Sequence, residues 1–346
     1  MLEISVNKKV SEAILKGYPW VFKDDIGRNS EIELSQLGEP CFIKNHSGKR
    51  IAIGYFNKFS RISARVLSTN PNDKIDQNFI KGKIERAYNW RKKHFEENFF
   101  RLIYAESDGL GGVIIDLYGD YISIQINTRG AYNLLEYIKD SLIELLNPKG
   151  ILVNYNSTSS AEKLPQKKEV VYGNIPEIIE IHENGIKYFC NLMEGQKTGY
   201  FFDQRANRKY LAGLAKGKNF IDLYTHSGGF GMLAAKHAKK VTLVDRSELA
   251  LDLARKAAKA NGFNNCEFIK ADIFDYLKSD ELPKFDIVNT DPPAFIKDKK
   301  DLRAGMAGYQ KLTKNCLKLC RQGGIFAISS CSYFARPDGF KQVVEE

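Results

Sequence analysis

From Asn219 onward, short apolar runs alternate with amphipathic stretches without interruption. The runs are NFIDLY, KVTLVD, CEFIKAD, FDIVNTD and IFAISSC, each separated from the next by a segment of helical character. The segment between Ser247 and Gly262 is the best marked. Ser247 suits an N-cap, Ala and Leu fill the interior, and Asn261-Gly262 stops it. Such a β-α-β-α series predicts a parallel sheet with helices on both faces. Its crossovers are right-handed, so a ligand belongs beyond the carboxyl ends of the strands. The expected fold class is α/β, a doubly wound, Rossmann-like domain over residues 191–346.

The pattern upstream is different. Residues 1–72 hold PCFIKN, RIAIGYF and SRISARVL, the last two alternating apolar and polar, with breaks at Ser47-Gly48 and Asn57-Lys58 and one short helical stretch near the start. They predict a small β-rich module. Residues 73–190 begin with a helical segment from about 78 to 99, carrying Phe79, Ile80, Ile84, Ala87, Tyr88 and Phe95 at helical spacing. A hairpin follows (strands 112–117 and 121–126), then a helix near 131–146 and a strand near 151–155. That is a second, α+β module.

Composition narrows the class. With 346 residues, 43% of them hydrophobic, the chain has material for two or three domains and is too apolar for a disordered chain. No apolar run approaches the ~18 residues of a membrane span. The start, MLEISVNKKV, lacks the apolar core of a signal peptide. Six cysteines without a C-x-x-C pair point to a reduced, cytoplasmic protein. The net charge of +10 is uneven. Residues 1–72 carry 11 Lys+Arg against 7 Asp+Glu, 73–190 carry 15 against 17, and 191–346 carry 26 against 18. Basic ends around a near-neutral middle suit a polyanionic partner, although solubility alone accounts for such charge equally well.

Candidate chemistry lies at the strand ends. The first strand leads into DLYTHSGGFG, where Gly228, Gly229 and Gly231 allow a tight turn and close approach to a ligand. No Lys-Ser/Thr follows, so this is not a P-loop, and the spacing is not that of a dinucleotide fingerprint. Asp245, 23 residues after Asp222, ends the second strand, where a carboxylate can accept from both hydroxyls of a ribose. Asp272 ends the third, at a position that can meet the amine of an adenine. Each carboxylate singly also suits a helix N-cap. The fourth strand ends in Asp291-Pro292-Pro293, whose prolines fix φ twice and remove two donors, holding Asp291 over the sheet edge with Phe295 as a stacking surface. Cys331 closes the fifth strand and reads two ways, as a small buried hydrophobe or as a thiol at a reaction site. Cys316 and Cys320 suit helix packing better than metal, since no further ligand stands at the right spacing. His226 and His237 lack triad or zinc spacing.

On these residues the chain resembles the RlmI-type class I methyltransferases, which use S-adenosyl-L-methionine to form 5-methylcytidine in large-subunit ribosomal RNA. The resemblance spans the whole chain and rests on GYPWVF (17–22), ESDGLGG (106–112), GQKTGYFFDQR (195–205), SGGF (227–230), DPPAF (291–295) and SCS (330–332). It implies an N-terminal PUA RNA-binding domain (1–72), a central α+β domain (73–190) and a methyltransferase domain (191–346). It assigns catalysis to Cys331 and Asp291. The cofactor falls to Asp222, Gly228, Asp245, Asp272, Gln204 and Arg205. Lys8, Lys9, Arg61 and Arg65 become candidate phosphate contacts, each equally readable as a solvated charge. The implied partner is large-subunit ribosomal RNA or its precursor, with no metal, no membrane, and a homodimer left open. Two departures stand out. Ala294 replaces the Lys that best-known members carry after Asp-Pro-Pro, and the family's sheet has two closing strands that this chain lacks before Glu346. Competing readings are methylation of exocyclic amines on RNA or DNA bases, which needs no thiol, and a non-catalytic RNA-binding or ribosome-assembly factor. A nicotinamide dehydrogenase is opposed by the glycine spacing.

Overall fold

The computed structural model describes residues 1–27, 31–155, 160–195, 199–279 and 281–345. They divide into two compact units, one of residues 1–179 and 191–202, the other of 180–190 and 203–346. The chain therefore passes from one unit to the other three times.

The first unit holds two five-stranded sheets. One is built from β1 (Leu2–Ser5), β2 (Trp20–Phe22), β3 (Glu39–Lys44), β4 (Arg50–Phe56) and β5 (Ile62–Ser68), in the order β1-β3-β4-β5-β2. Helices α1 (Lys8–Leu15) and α2 (Glu31–Leu34) lie among its connections. Its core is Ile4, Ile14, Val21, Ile43 and Phe56, with Cys41 fully enclosed. Alternation along β4 and β5 is blurred by residues buried against neighbours on both faces. The other sheet follows α3 (Gln77–Lys92) and comprises β6 (Phe99–Tyr104), β7 (Val113–Tyr118), β8 (Tyr121–Ile126), β9 (Gly150–Tyr155) and β10 (Lys168–Gly173), in that order across the sheet. Helices α4 (Arg129–Asn133) and α5 (Leu135–Leu146) connect β8 to β9. Helix α3 is shorter than its periodicity implied. Its apolar face is followed by Phe99 and Phe100, which begin β6 instead of extending the helix.

The two sheets share one core. Tyr55 and Leu67 of the first pack with Ile80, Leu110, Ile126 and Ala131 around the second. Tyr55 donates its hydroxyl hydrogen to the Gly111 carbonyl (2.9 Å), and its oxygen lies 2.8 Å from Thr128 Oγ1. Arg65 joins the sheets through Glu106 (3.2 Å) and Glu162 (3.8 Å), while the Trp20 indole donates to Glu106 at 2.9 Å. Gly130 is a contact where only hydrogen fits, since a Cβ there would stand 2.0 Å from the Tyr55 ring. Replacing it, Gly130→Ala, is expected to destabilise this unit by about 3 kcal/mol, the upper range for overpacking a dense core. Urea unfolding followed by tryptophan fluorescence measures it.

In the second unit, β11 (Ile179–Glu183) and β12 (Ile186–Cys190) form a hairpin ahead of α6 (Arg205–Gly213). The parallel sheet follows: β13 (Asn219–Leu223), α7 (Gly229–Ala235), β14 (Lys240–Asp245), α8 (Glu248–Ala260), β15 (Cys266–Lys270), α9 (Ile273–Tyr276), β16 (Phe285–Thr290), α10 (Leu302–Leu317), β17 (Cys320–Ile328) and α11 (Pro337–Glu345). Ser247 caps α8 as its sequence implied, accepting from the Ala250 amide at 3.3 Å. The strand order β15-β14-β13-β16-β17 reverses between β13 and β16, so the crevice for a ligand opens at the carboxyl ends of those two strands. The hairpin packs on α8, where the Asn261 side chain pairs with the Lys187 backbone through both its oxygen (3.0 Å) and its nitrogen (2.7 Å).

Candidate active site

The loop after β13 is wound unusually tightly. Tyr224 (φ 59°), His226 (φ 52°) and Gly228 (φ 85°) are all left-handed, and two of them are not glycine. Conformations of this kind cost about 1–3 kcal/mol each and persist where the surroundings fix them. Here two carboxylates hold the loop: Asp245, through the His226 amide, and, from behind it, Asp222. Its Oδ2 accepts from Thr225 Oγ1 (2.6 Å) and from the Gly231 amide (2.8 Å), and its Oδ1 from Asn289 Nδ2 (2.8 Å). Burial pushes this carboxyl above the ordinary carboxylate range, and the three hydrogen bonds pull it back. Asp222 lies inside β13, level with Leu243 on β14, and is 1% exposed. The three carboxylates at successive strand ends are therefore not in register, as their positions in the sequence implied. Asp222 stands behind the loop and holds its shape.

Asp245 does end β14 and is half-buried. One oxygen accepts from the His226 amide and the other from the Ser247 amide, each at 2.9 Å. A carboxylate has about four acceptor positions, so capacity for hydroxyl donors remains. Asp272 stands two residues past β15, exposed, and caps α9 through the Phe274 (2.9 Å) and Asp275 (3.3 Å) amides. Burial lowers the pKa of His226, with Asp245 opposing. The imidazole is thus neutral in the folded loop, while an unfolded chain takes up a proton below the ordinary value of 6.5. Its contribution to stability is complete above that pH and is lost as pH falls below it. The thermal midpoint is expected to fall between pH 7.5 and 5.5 more steeply in the wild type than in His226→Asn, which tolerates the left-handed backbone. Scanning calorimetry at both pH values measures the difference.

Gln204 and Arg205 open α6, yet both are engaged inside the unit. Gln204 Oε1 accepts from Asn207 Nδ2 at 2.7 Å. Arg205 pairs with the fully buried Glu183 carboxylate of β11 at 2.9 Å. Arg208 is the residue of this helix that reaches the loop. It holds Glu183 through two nitrogens (2.7 and 2.9 Å) and lies against Gly229, where a Cβ would be 3.5 Å away. Residues 196–198, within the GQKTGYFFDQR motif, lie outside the described residues.

Cys331 faces Asp291-Pro292-Pro293 across the mouth of β16 and β17. The Asp291 amide reaches back to the Leu223 carbonyl of β13 (3.4 Å), and Asp291 is half-buried. The Cys331 sulfur lies 3.9 Å from the Pro292 carbonyl oxygen. Of the six cysteines it is the exposed one. Burial holds the Cys316 thiol up at about 12 and Cys266 at about 11, out of reach of ionisation near neutrality. The flanking serines fix the segment. Ser330 Oγ donates to the Tyr309 hydroxyl of α10 (2.9 Å), and the Ser332 and Tyr309 oxygens are 2.8 Å apart. Ser332 Oγ also accepts from the Ile296 amide at 3.1 Å. Phe295 stacks obliquely on Tyr309, ring centres 4.7 Å apart, so it is committed to α10. Neither Tyr309 nor Asn289 stood out in the sequence. Asn289 had a signal: two paired apolar strands each carry a polar residue at one level, Asp222 opposite Asn289.

Of the candidate phosphate contacts, Lys8 and Lys9 open α1 and are exposed, and Arg61 is exposed before β5. Arg65 is different. Its side chain is 11% exposed between Glu106 and Glu162, a buried tie between two sheets. Among the described residues no group of His, Cys, Asp and Glu could hold a metal ion, and no helix is long and apolar enough to cross a membrane.

Two family models match the chain, a PUA-like domain over residues 4–69 and a methyltransferase domain over 214–346. The ribosomal RNA large subunit methyltransferase I of Aliivibrio fischeri (strain ES114) is 34% identical, covering 100% of this chain and 89% of its own length. The protein of that name from Escherichia coli (strain SMS-3-5) is 30% identical over 97% and 87%. Among solved structures, SMU.776, assigned as a methyltransferase and crystallised with SAH, superposes with a TM-score of 0.84 at 22% identity, covering 100% of this chain and 90% of that one. At that identity the likeness speaks for the fold: an N-terminal PUA-like domain and a class I methyltransferase domain.

Proposed function

The chain belongs to the ribosomal RNA large subunit methyltransferase I family, and from that premise we propose that it transfers a methyl group from S-adenosylmethionine to carbon 5 of a cytosine in large-subunit ribosomal RNA. The observation that carries the choice of atom is the exposed Cys331, held between two anchored serines beside Asp291-Pro292.

The residues present fit the cofactor. Asp245 offers acceptor capacity for ribose hydroxyls, an exposed Asp272 follows at the next strand end, and the left-handed loop lies at the topological switch point. When bound, S-adenosylmethionine supplies an electrophilic methyl group. What the protein must add is a way to make carbon 5 of cytosine nucleophilic. The Cys331 thiolate does so by adding to carbon 6, which converts the ring into an enamine. After carbon 5 is methylated a base removes its proton, and the sulfur–carbon 6 bond breaks to return the thiolate. Asp291 hydrogen-bonds the ring nitrogen or the exocyclic amine in this reading. The cytosine must first leave its stack, at a cost of a few kcal/mol. Lys8, Lys9 and Arg61 of the PUA-like domain contribute phosphate contacts, which fix register without reading sequence. The working compartment in this reading is the cytoplasm.

Bisulfite sequencing of large-subunit ribosomal RNA from a strain lacking the gene tests the reading. One protected cytosine should become convertible and regain protection on complementation. An unchanged pattern, with a missing methyl on an adenine or guanine amine, would favour the exocyclic-amine alternative.

A further inference from the structure

The segment that leads from the Asp-Pro-Pro turn into α10 reads Lys297-Asp298-Lys299-Lys300-Asp301-Leu302-Arg303. It leaves the active site directly. Ile296, the residue before it, donates its amide to Ser332, the neighbour of Cys331. A mixed charge run is ordinarily a self-neutralised solvated face, but this one is not neutralised. Asp298 and Asp301 serve the backbone, forming a reciprocal capping box at the short turn Lys299–Asp301, with the Asp298 amide donating to Asp301 at 3.2 Å. Lys297, Lys299, Lys300 and Arg303 are all exposed, and none forms an ion pair among the described residues. Lys240, Arg255 and Arg321 of this unit find partners in Glu267, Glu248 and Asp286, whereas the exposed Lys236 and Lys239 do not among the described residues, so what sets the run apart is its position next to the active site. A second observation points to the same ligand. Tyr333, two residues past Cys331 in sequence, is 85% exposed and meets Phe334 edge to face (5.3 Å between ring centres). Cations that track a backbone beside an aromatic face are the elements of single-stranded nucleic-acid binding.

We propose that Lys297, Lys299, Lys300 and Arg303 grip the phosphates flanking the target nucleotide, so that the methyltransferase unit holds its own stretch of single-stranded RNA at the active site while Tyr333 offers a stacking face. This deepens the function proposed above and rests on it. The grip is independent of sequence, because phosphate contacts position and base contacts specify. It acts on the few nucleotides around the reacting base, a different task from docking a folded RNA on the PUA-like domain.

The test is the salt dependence of binding to a short cytidine oligomer, for the wild type and the triple variant Lys297→Gln, Lys299→Gln, Lys300→Gln. Each lost single-strand phosphate contact lowers the log–log slope by about 0.7, so the triple variant should lose about 2 units of slope. Between 50 and 200 mM salt that is about a 20-fold smaller change in affinity. S-adenosylhomocysteine affinity and thermal midpoint should match the wild type. So should the slope of a control, Lys236→Gln with Lys239→Gln, near the amino-terminal edge of the sheet. An unchanged slope in the triple variant, with the wild type methylating ribosomal RNA, overturns the grip and leaves the function standing. A wild type that transfers no methyl group to large-subunit ribosomal RNA overturns the function on which the grip rests.

Discussion

Cys331→Ala is expected to lower cytosine carbon 5 methylation by about 10³-fold or more while S-adenosylhomocysteine binds as before. Removing a covalent nucleophile eliminates the only route by which carbon 5 gains electron density, and losses of this size follow when such a group is deleted. Misfolding is a poor explanation in advance. The residue is exposed, and the hydrogen bonds that shape its segment belong to Ser330, Ser332 and Tyr309, which the variant keeps. Methyl transfer from labelled cofactor to ribosomal RNA, with nucleoside analysis of the product, gives the result directly. Persistent 5-methylcytidine in the variant sinks the thiolate adduct. Methylated exocyclic amine formed equally by both proteins sinks the choice of atom as well.

The second large effect concerns Asp222. Asp222→Ala strips partners from Thr225, Gly231 and Asn289 in a buried site, where breaking such a network costs about 3 kcal/mol or more. At roughly 3 °C per kcal/mol that is a fall of about 10 °C in the midpoint of its unit. The left-handed loop should relax with it, and S-adenosylhomocysteine binding should be lost. Asp222→Asn separates strut from ligand contact. Its carbonyl can still accept from Thr225 and Gly231, and Asn289 can turn its amide to present oxygen to the new NH₂ group. Near-normal stability and affinity are therefore expected of the Asn variant. Normal stability with lost affinity would instead show that the charge itself meets the cofactor. Calorimetry on both variants decides.

The alternation from Asn219 was legible because a buried parallel strand is a nearly continuous apolar run and a capped helix announces both ends. Four of the five strands lie within a residue or two of their sequence-based limits, whereas β17 begins at Cys320, where the sequence suggests helix, and ends three residues short of Cys331, which the sequence places at its close. What escaped was every feature made by distant partners. Arg65 reads as a surface cation until Glu106 and Glu162, 41 and 97 positions away, close over it. Asp222 reads as a strand-end ligand, whereas parallel pairing sets it a residue inside the sheet. Local spacing also carries no sign that two serines beside a cysteine will meet one tyrosine of the preceding helix.

The hairpin of β11 and β12 has a consequence for the order in which this chain is made. Its apolar side chains Ile181, Ile186, Tyr188 and Phe189 are covered in the finished fold, and the Lys187 backbone is satisfied by Asn261, 74 positions later. A ribosome adding 5–20 residues per second takes about 4 to 15 s to supply that partner. Through that interval the Glu183 carboxylate acquires Arg205 and Arg208 first, while the hairpin's greasy side waits for α8. The nascent chain thus carries a sticky, unfinished ribbon between two stretches of the other unit. Slow codons between 190 and 260 would prolong the exposure and invite chaperone binding there.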